Sequence, residues 1–274
     1  MKHKITPAEF LHLSTIRIEC SFPGGQTTGT GFFFGLNFDE EMFTPVIVTN
    51  KHIIKNAMYG TLIFSVKDKN GEPLWGKNYP ITISNFEDLW IMHPDDDVDL
   101  CVLPIANVHD IIEKTNMELN YTLFTVDDIP TKEEIESEFS RIEEVTIIGY
   151  PDGIWDEANN IPITRKGITA TPLQMDFENS PTFLVDVAIY SGSSGSPVFV
   201  FNQGMFCKPD GTVLIGNRIK LVGIIYKMFQ HTITGEIKVV DVPTSYNPVA
   251  ESRIPNNLGI AIHARKLLDF EGLV

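Results

Sequence analysis

Cysteine is scarce in this 274-residue chain, with three residues, Cys20, Cys101 and Cys207. An odd count without CxxC spacing gives no sign of a disulfide framework and points to a reducing compartment, with Cys101 a buried thiol inside an apolar run. Positive charge is also short: 21 Lys and Arg stand against 36 Asp and Glu, a formal net charge of −15. So acidic a chain has little with which to neutralise phosphates and release their counterions, so neither nucleic acid nor an anionic membrane is an expected partner. Long hydrophobic runs are missing too, since no segment approaches the ~18 apolar residues of a spanning helix. The N-terminus, Met1-Lys2-His3-Lys4 followed by Thr6-Pro7-Ala8-Glu9-Phe10-Leu11-His12-Leu13, has neither the apolar stretch nor the small-residue cleavage site of a secretory signal. An unprocessed, cytoplasmic protein is the expectation.

Metal-ligand spacing is likewise absent. His3, His12, His93, His109, His231 and His263 form no H-x-x-x-H or HExxH pattern, and no metal or cofactor is expected. Asp95-Asp96-Asp97 lacks the glycine and distal glutamate of a calcium loop and reads as a solvated acidic turn. There is no convincing repeat and no low-complexity tract.

What the chain does have is 43% apolar residues, ample for a core, arranged mainly as short runs broken by turn residues. The exception at the start is Thr6-Pro7-Ala8-Glu9, a helix start with a threonine cap, proline in the first turn and Glu9 three residues on. Strand-length runs follow at Ile16–Ser21, Gly31–Gly35, Pro45–Thr49, Gly60–Val66, Tyr79–Ile83 and Asp99–Ile105. Six strands predict one closed antiparallel barrel. Val108–Glu113 and Thr131–Phe139 are charged and helix-compatible, and mark a connector, with Glu133–Glu144 a solvated face or a docking surface for a partner. Strands resume at Val145–Ile148, Gly167–Thr171, Thr182–Ile189, Pro197–Phe201, Leu221–Tyr226 and Gly259–Ala264. The predicted fold is all-β: two six-stranded antiparallel barrels with a short N-terminal helix, divided as 14–110, a connector over 111–144, and 145–265. Phe32-Phe33-Phe34 is expected in the barrel core.

Three places could carry chemistry. In Tyr190-Ser191-Gly192-Ser193-Ser194-Gly195-Ser196-Pro197-Val198-Phe199, a serine lies between glycines ahead of a strand, an arrangement that can present a hydroxyl beside free backbone N–H groups. His52 follows the buried run Val46-Ile47-Val48-Thr49-Asn50-Lys51 and becomes a proton shuttle if an acid and a nucleophile stand near it. Asp99 opens the apolar run Leu100-Cys101-Val102-Leu103-Pro104-Ile105, where a carboxylate is costly unless paired. Asp97, two residues earlier and on the same strand face, is the alternative acid. The chain order is His, Asp, Ser, as in the best-studied serine hydrolase template.

With these residues the chain resembles the trypsin-like (chymotrypsin-fold) serine peptidases, particularly bacterial members related to the HtrA protease domain and to glutamyl endopeptidases. The resemblance covers about residues 14 to 265. It is carried by Gly29-Thr30-Gly31-Phe32, Thr49-Asn50-Lys51-His52, Asp99-Leu100-Cys101-Val102-Leu103, Ile148-Gly149-Tyr150-Pro151, Gly192-Ser193-Ser194-Gly195-Ser196-Pro197-Val198 and Leu258-Gly259-Ile260-Ala261-Ile262. It implies Ser194 as nucleophile, His52 as general base and acid, Asp99 as orienting carboxylate, and the N–H groups of Gly192 and Ser194 as oxyanion donors. It implies an endopeptidase acting on proteins or peptides through an acyl-enzyme.

Departures from the family refine this. No Ile-Val-Gly-Gly-like start precedes the first strand, so no activating cut is expected. Ser196 replaces the second glycine of the commonest serine motif, as in glutamyl endopeptidases. Ten residues follow Ala264, so regulation by a PDZ domain, as in HtrA proteins, is not expected. The family's pocket base falls on Ala188, beside Ile189, and Ile225 stands where glutamyl enzymes carry histidine; an uncharged, aliphatic P1 residue is expected. Two other readings of the resemblance are a conditional effector, in which a regulatory partner remodels 150–166 and 202–219, and a non-cleaving scaffold that binds a partner.

Overall fold

The computed structural model describes residues 5–37, 43–68, 70–106, 108, 118–236 and 249–274. It opens with helix α1 (Pro7–Leu13), where the Thr6 hydroxyl accepts the Glu9 N–H and Glu9 returns a bond to the Thr6 N–H at 2.8 Å. This is the reciprocal cap predicted from the sequence.

The first half is antiparallel sheet: β1 (Thr15–Phe22), β2 (Gly25–Asn37), β3 (Phe43–Thr49), β4 (Tyr59–Lys67), β5 (Pro73–Ser84), β6 (Ile91–Met92) and β7 (Cys101–Pro104). These pair in the order β5-β4-β1-β2-β3-β7-β6; the short β8 (Glu118–Leu119) adds to β4 and β9 (Phe124–Thr125) lies parallel on β2. Between β3 and β4 lies the single-turn helix α2 (Lys51–Ile54). Of the helix-compatible segment Val108–Glu113, only Val108 lies within the described residues. The second connector element is helix α3 (Lys132–Glu138), again with a reciprocal cap, between Thr131 and Glu134. It is pinned to the second half by Arg218, which bonds the Glu138 carbonyl at 2.9 Å and Glu143 at 2.8 Å.

The second half closes into a barrel from β10 (Glu144–Gly149), β11 (Ile163–Thr169), β12 (Thr182–Asp186), β13 (Pro197–Asn202), β16 (Arg218–Glu236) and β17 (Val249–His263), ordered β10-β11-β12-β17-β16-β13. A separate hairpin, β14 (Met205–Cys207) with β15 (Val213–Ile215), projects from it. The architecture is thus mainly β, a closed six-stranded barrel plus a nine-stranded sheet, consistent with a chymotrypsin-like double barrel. The first half does not close as the six-stranded antiparallel barrel expected of it, because among the described residues its end strands β5 and β6 do not pair and β9 adds in parallel. Strands β16 and β17 run well beyond the apolar stretches predicted for them: past Met228 they pair with each other as a long hairpin, and no apolar alternation announces strand there. Among the described residues no helix is long and apolar enough to cross a membrane.

Three apolar clusters form the interior. One fills the first half around Ile16, Phe33, Leu62 and Leu103, and one fills the second barrel around Val145, Phe183, Val198 and Ala261. The third lies between the halves and joins Phe32, Phe34, Val48 and Leu100 to Phe199, Leu221, Ile224 and Leu267. The period of two along β2 sends Phe32 and Phe34 to this shared cluster and Phe33 to the other.

Candidate active site

His52 owes its position to its neighbours. Strand β3 ends in the buried run Val46-Ile47-Val48-Thr49, Asn50 stays extended, and α2 then buries Ile53 and Ile54, leaving His52 on the open face. Ile53 needs the space that Gly29 leaves: a Cβ there would lie 2.5 Å from its Cδ1. Asp99 is held between buried Val98 and Leu100, and its carbonyl accepts a bond from Asn50 Nδ2 at 2.7 Å.

The Asp99 carboxylate meets His52 twice. Its Oδ1 accepts the His52 backbone N–H at 3.1 Å, and its Oδ2 lies 2.5 Å from Nδ1. A carboxylate opposite Nδ1 fixes the ring proton there, so that the neutral imidazole turns the lone pair of Nε2 outward as a base. Burial pushes Asp99 upward, but the hydrogen bonds and charge of His52, with Lys227 nearby, outweigh it and hold the carboxyl below its ordinary value. Asp97 is exposed and its N–H is turned to Asp95 Oδ1 at 3.0 Å. The acid in contact with His52 is Asp99.

The serine turn is built by its glycines. Gly192 (φ +79°) and Gly195 (φ +82°) lie in the left-handed region, where a Cβ would run into the carbonyl oxygens of Tyr150 and Thr30 respectively. Gly195 N–H donates to the Ile225 carbonyl at 2.8 Å and Ile225 N–H to the Ser196 carbonyl at 2.9 Å, which pins the turn to β16. The Ser191 carbonyl accepts the Asp152 N–H at 2.5 Å, so the N–H on the other side of that trans peptide, that of Gly192, faces the opposite way. Within the turn Ser193 and Ser196 are buried, whereas Ser194 is half-buried.

Thr30 joins the two halves at this point. Its N–H donates to the Ser194 carbonyl at 2.9 Å, its hydroxyl donates to the Gly192 carbonyl at 2.9 Å and accepts the Tyr150 N–H at 3.1 Å, and its carbonyl accepts from the Thr49 hydroxyl at 2.7 Å. Two hydrogen-bonded links thus tie Ser194 to the strand end that carries His52. Sequence reasoning quoted Thr30 only as part of a motif. Its signal was a threonine between two glycines directly ahead of the apolar run Phe32-Phe33-Phe34.

Of the pocket residues, Ala188 is half-buried, whereas the side chains of Ile189 and Ile225 are fully enclosed in the second-barrel cluster. Among the described residues no three His, Cys, Asp or Glu side chains converge as metal ligands.

A family model for the trypsin-like peptidase domain matches residues 29–206, close to two thirds of the chain, from the Gly29 motif through the serine turn. No curated protein matches. Among solved structures, the serine endoprotease from Yersinia pestis is similar at 17% identity and a TM-score of 0.46, over 96% of this chain and 64% of that one. The chain therefore spans just under two thirds of that protein's length. A mutant of the Tobacco Etch Virus protease is similar at 12% identity and a TM-score of 0.46, over 98% of this chain and 81% of that one.

Proposed function

Because the chain belongs to the trypsin-like peptidase family, we propose that it is a serine peptidase that cleaves proteins or peptides with Ser194 as nucleophile, His52 as general base and acid, and Asp99 as the orienting carboxylate. The observation that carries this reading is the double contact between His52 and the Asp99 carboxylate, at 3.1 and 2.5 Å. Ser194 Oγ attacks the scissile carbonyl carbon while His52 Nε2 takes its proton. The oxygen that becomes negative is met by the N–H groups of Gly192 and Ser194. His52 then hands the proton to the leaving amine, the C–N bond breaks, and an ester to Ser194 remains. Water, deprotonated by His52, hydrolyses that ester and restores the serine.

The pocket, in this proposal, opens at Ala188, with the enclosed side chains of Ile189 and Ile225 lying behind it in the second-barrel core and not lining it, and takes an uncharged, aliphatic P1 residue. No carboxylate among these three residues could neutralise a buried lysine or arginine of the substrate. Three free thiols, with Cys20 and Cys101 buried and Cys20 pushed up to about 12 by burial, support placing the enzyme in a reducing compartment such as the cytoplasm. The test is hydrolysis of an unfolded protein by the purified chain, with the cut sites read by mass spectrometry. Cleavage after Val, Leu, Ile or Ala, abolished in Ser194→Ala, is the expected result; a dominant Arg or Glu preference contradicts the pocket, and cleavage that survives Ser194→Ala contradicts the nucleophile.

A further inference from the structure

Strand β11 passes behind the loop 188–194, and one of its side chains reaches into it. Arg165 donates from Nη1 to the Ala188 carbonyl and from Nη2 to Ser193 Oγ at 3.0 Å. The same Ser193 Oγ accepts the Tyr190 N–H at 3.2 Å. One guanidinium therefore joins the residue that begins the loop to the residue immediately before Ser194, and the backbone between them is gathered around the Ser193 hydroxyl.

This arginine is an expensive way to fill space. It is half-buried, its enclosed Nε has no hydrogen-bond partner, and burial lowers its pKa from the ordinary arginine value, with Tyr190 and Asp152 opposing that shift. An apolar side chain of similar length would avoid the desolvation. What only arginine supplies is a rigid fork of donors able to engage two acceptors at a fixed spacing. The loop is also gripped from its other side, where the Asp152 N–H bonds the Ser191 carbonyl and the Tyr150–Gly153 turn occupies the space that a side chain on Gly192 would need. That turn is itself held from the first half by Arg17, which donates to the Gly153 carbonyl.

We propose that Arg165 is a positioning residue for the reaction: its fork clamps Ala188 to Ser193 and so sets the direction of the Gly192 and Ser194 N–H groups that receive the oxyanion. The proposal rests on the reading of Ser194 as nucleophile. It touches neither substrate nor reacting atoms in this role, and acts through the loop.

The experiment compares wild type, Arg165→Met, Arg165→Lys and Ser193→Ala on a peptide amide substrate, with thermal unfolding and hydrogen exchange of 188–194 measured on each. Arg165→Met is expected to lower kcat about 10²-fold, the cost of losing one oxyanion donor, with a smaller change in KM. Arg165→Lys should fall between, since an ammonium is a point charge rather than a fork. Exchange in 188–194 should rise. Ser193→Ala removes one acceptor without emptying the cavity, and gives the same kcat defect at unchanged melting temperature should Arg165→Met fold poorly. Wild-type kcat and wild-type exchange in Arg165→Met or Ser193→Ala would overturn the clamp. A wild-type protein that hydrolyses nothing would instead contradict the nucleophile reading, and the exchange data would still decide whether Arg165 orders the loop.

Discussion

Asp99 and His52 meet at 2.5 Å with half of the imidazole open to solvent, its side chain 46% exposed against 21% for the aspartate. The carboxylate is the sheltered partner and the ring the accessible one, as a proton carrier requires. Asp99→Asn keeps the shape but loses the charge and offers an amide that can favour the wrong tautomer, so kcat is expected to fall about 10⁴-fold, the loss known for the corresponding change in the template enzyme. Asp97→Asn, altering an exposed side chain of the acidic turn, should leave kcat near wild type; equal losses in steady-state assays of the two would contradict the assignment. A second histidine matters to stability instead. His263 is buried against Phe183, 5.0 Å between ring centres, and burial together with Arg265 lowers its pKa from 6.5 to about 4 despite Asp176 nearby. Between these values the unfolded chain binds a proton that the folded one refuses. The contribution is therefore complete above pH 6.5 and lost as pH falls toward 4, amounting to about 2 kcal/mol between pH 7 and pH 5. Urea unfolding at the two pH values should show this drop, and His263→Leu should remove it.

The elements divide by how locally their shape is decided. In the serine turn, Gly192→Ala would put a Cβ into the Tyr150 carbonyl at a φ of +79°, so the loop must move. Loss of that donor is expected to cost at least about 10² in kcat, with circular dichroism unchanged; an active Gly192→Ala would mean that the loop has another way to receive the oxyanion. This turn was legible in the sequence because glycine spacing and a following apolar run state its geometry directly. So were α1 and α3, whose Thr and Glu caps lie within one turn of each other, and the buried cores of β3 and β7. The ends of β16 and β17 were not, because their pairing comes from each other across a hairpin and not from apolar alternation. Arg165 was invisible for a similar reason: on a strand reading Ile-Thr-Arg-Lys-Gly it looks like a solvated cation, and only the fold turns it toward Ala188 and Ser193. Thr30 likewise gains its role from four partners in the other half or another strand.

The whole molecule is two β-layered halves that share an interior. Phe124 and Phe199, whose rings lie 4.7 Å apart, and the cluster around them bury apolar surface from both halves at once. Above that cluster Thr30 from the first half holds Gly192 and Ser194 in the second, while His52 and Asp99 stay in the first. The proposed reaction thus belongs to neither half alone, and the barrel order His, Asp, Ser along the chain is what distributes it between them. The central claim is that Ser194, among the serines of its turn, is activated by His52. Its most direct measurement is treatment of the purified chain with a fluorophosphonate followed by peptide mass spectrometry. The predicted result is a single adduct on Ser194, lost in His52→Ala as well as in Ser194→Ala; no adduct on the folded wild-type protein, or one on Ser193 or Ser196, would contradict the account.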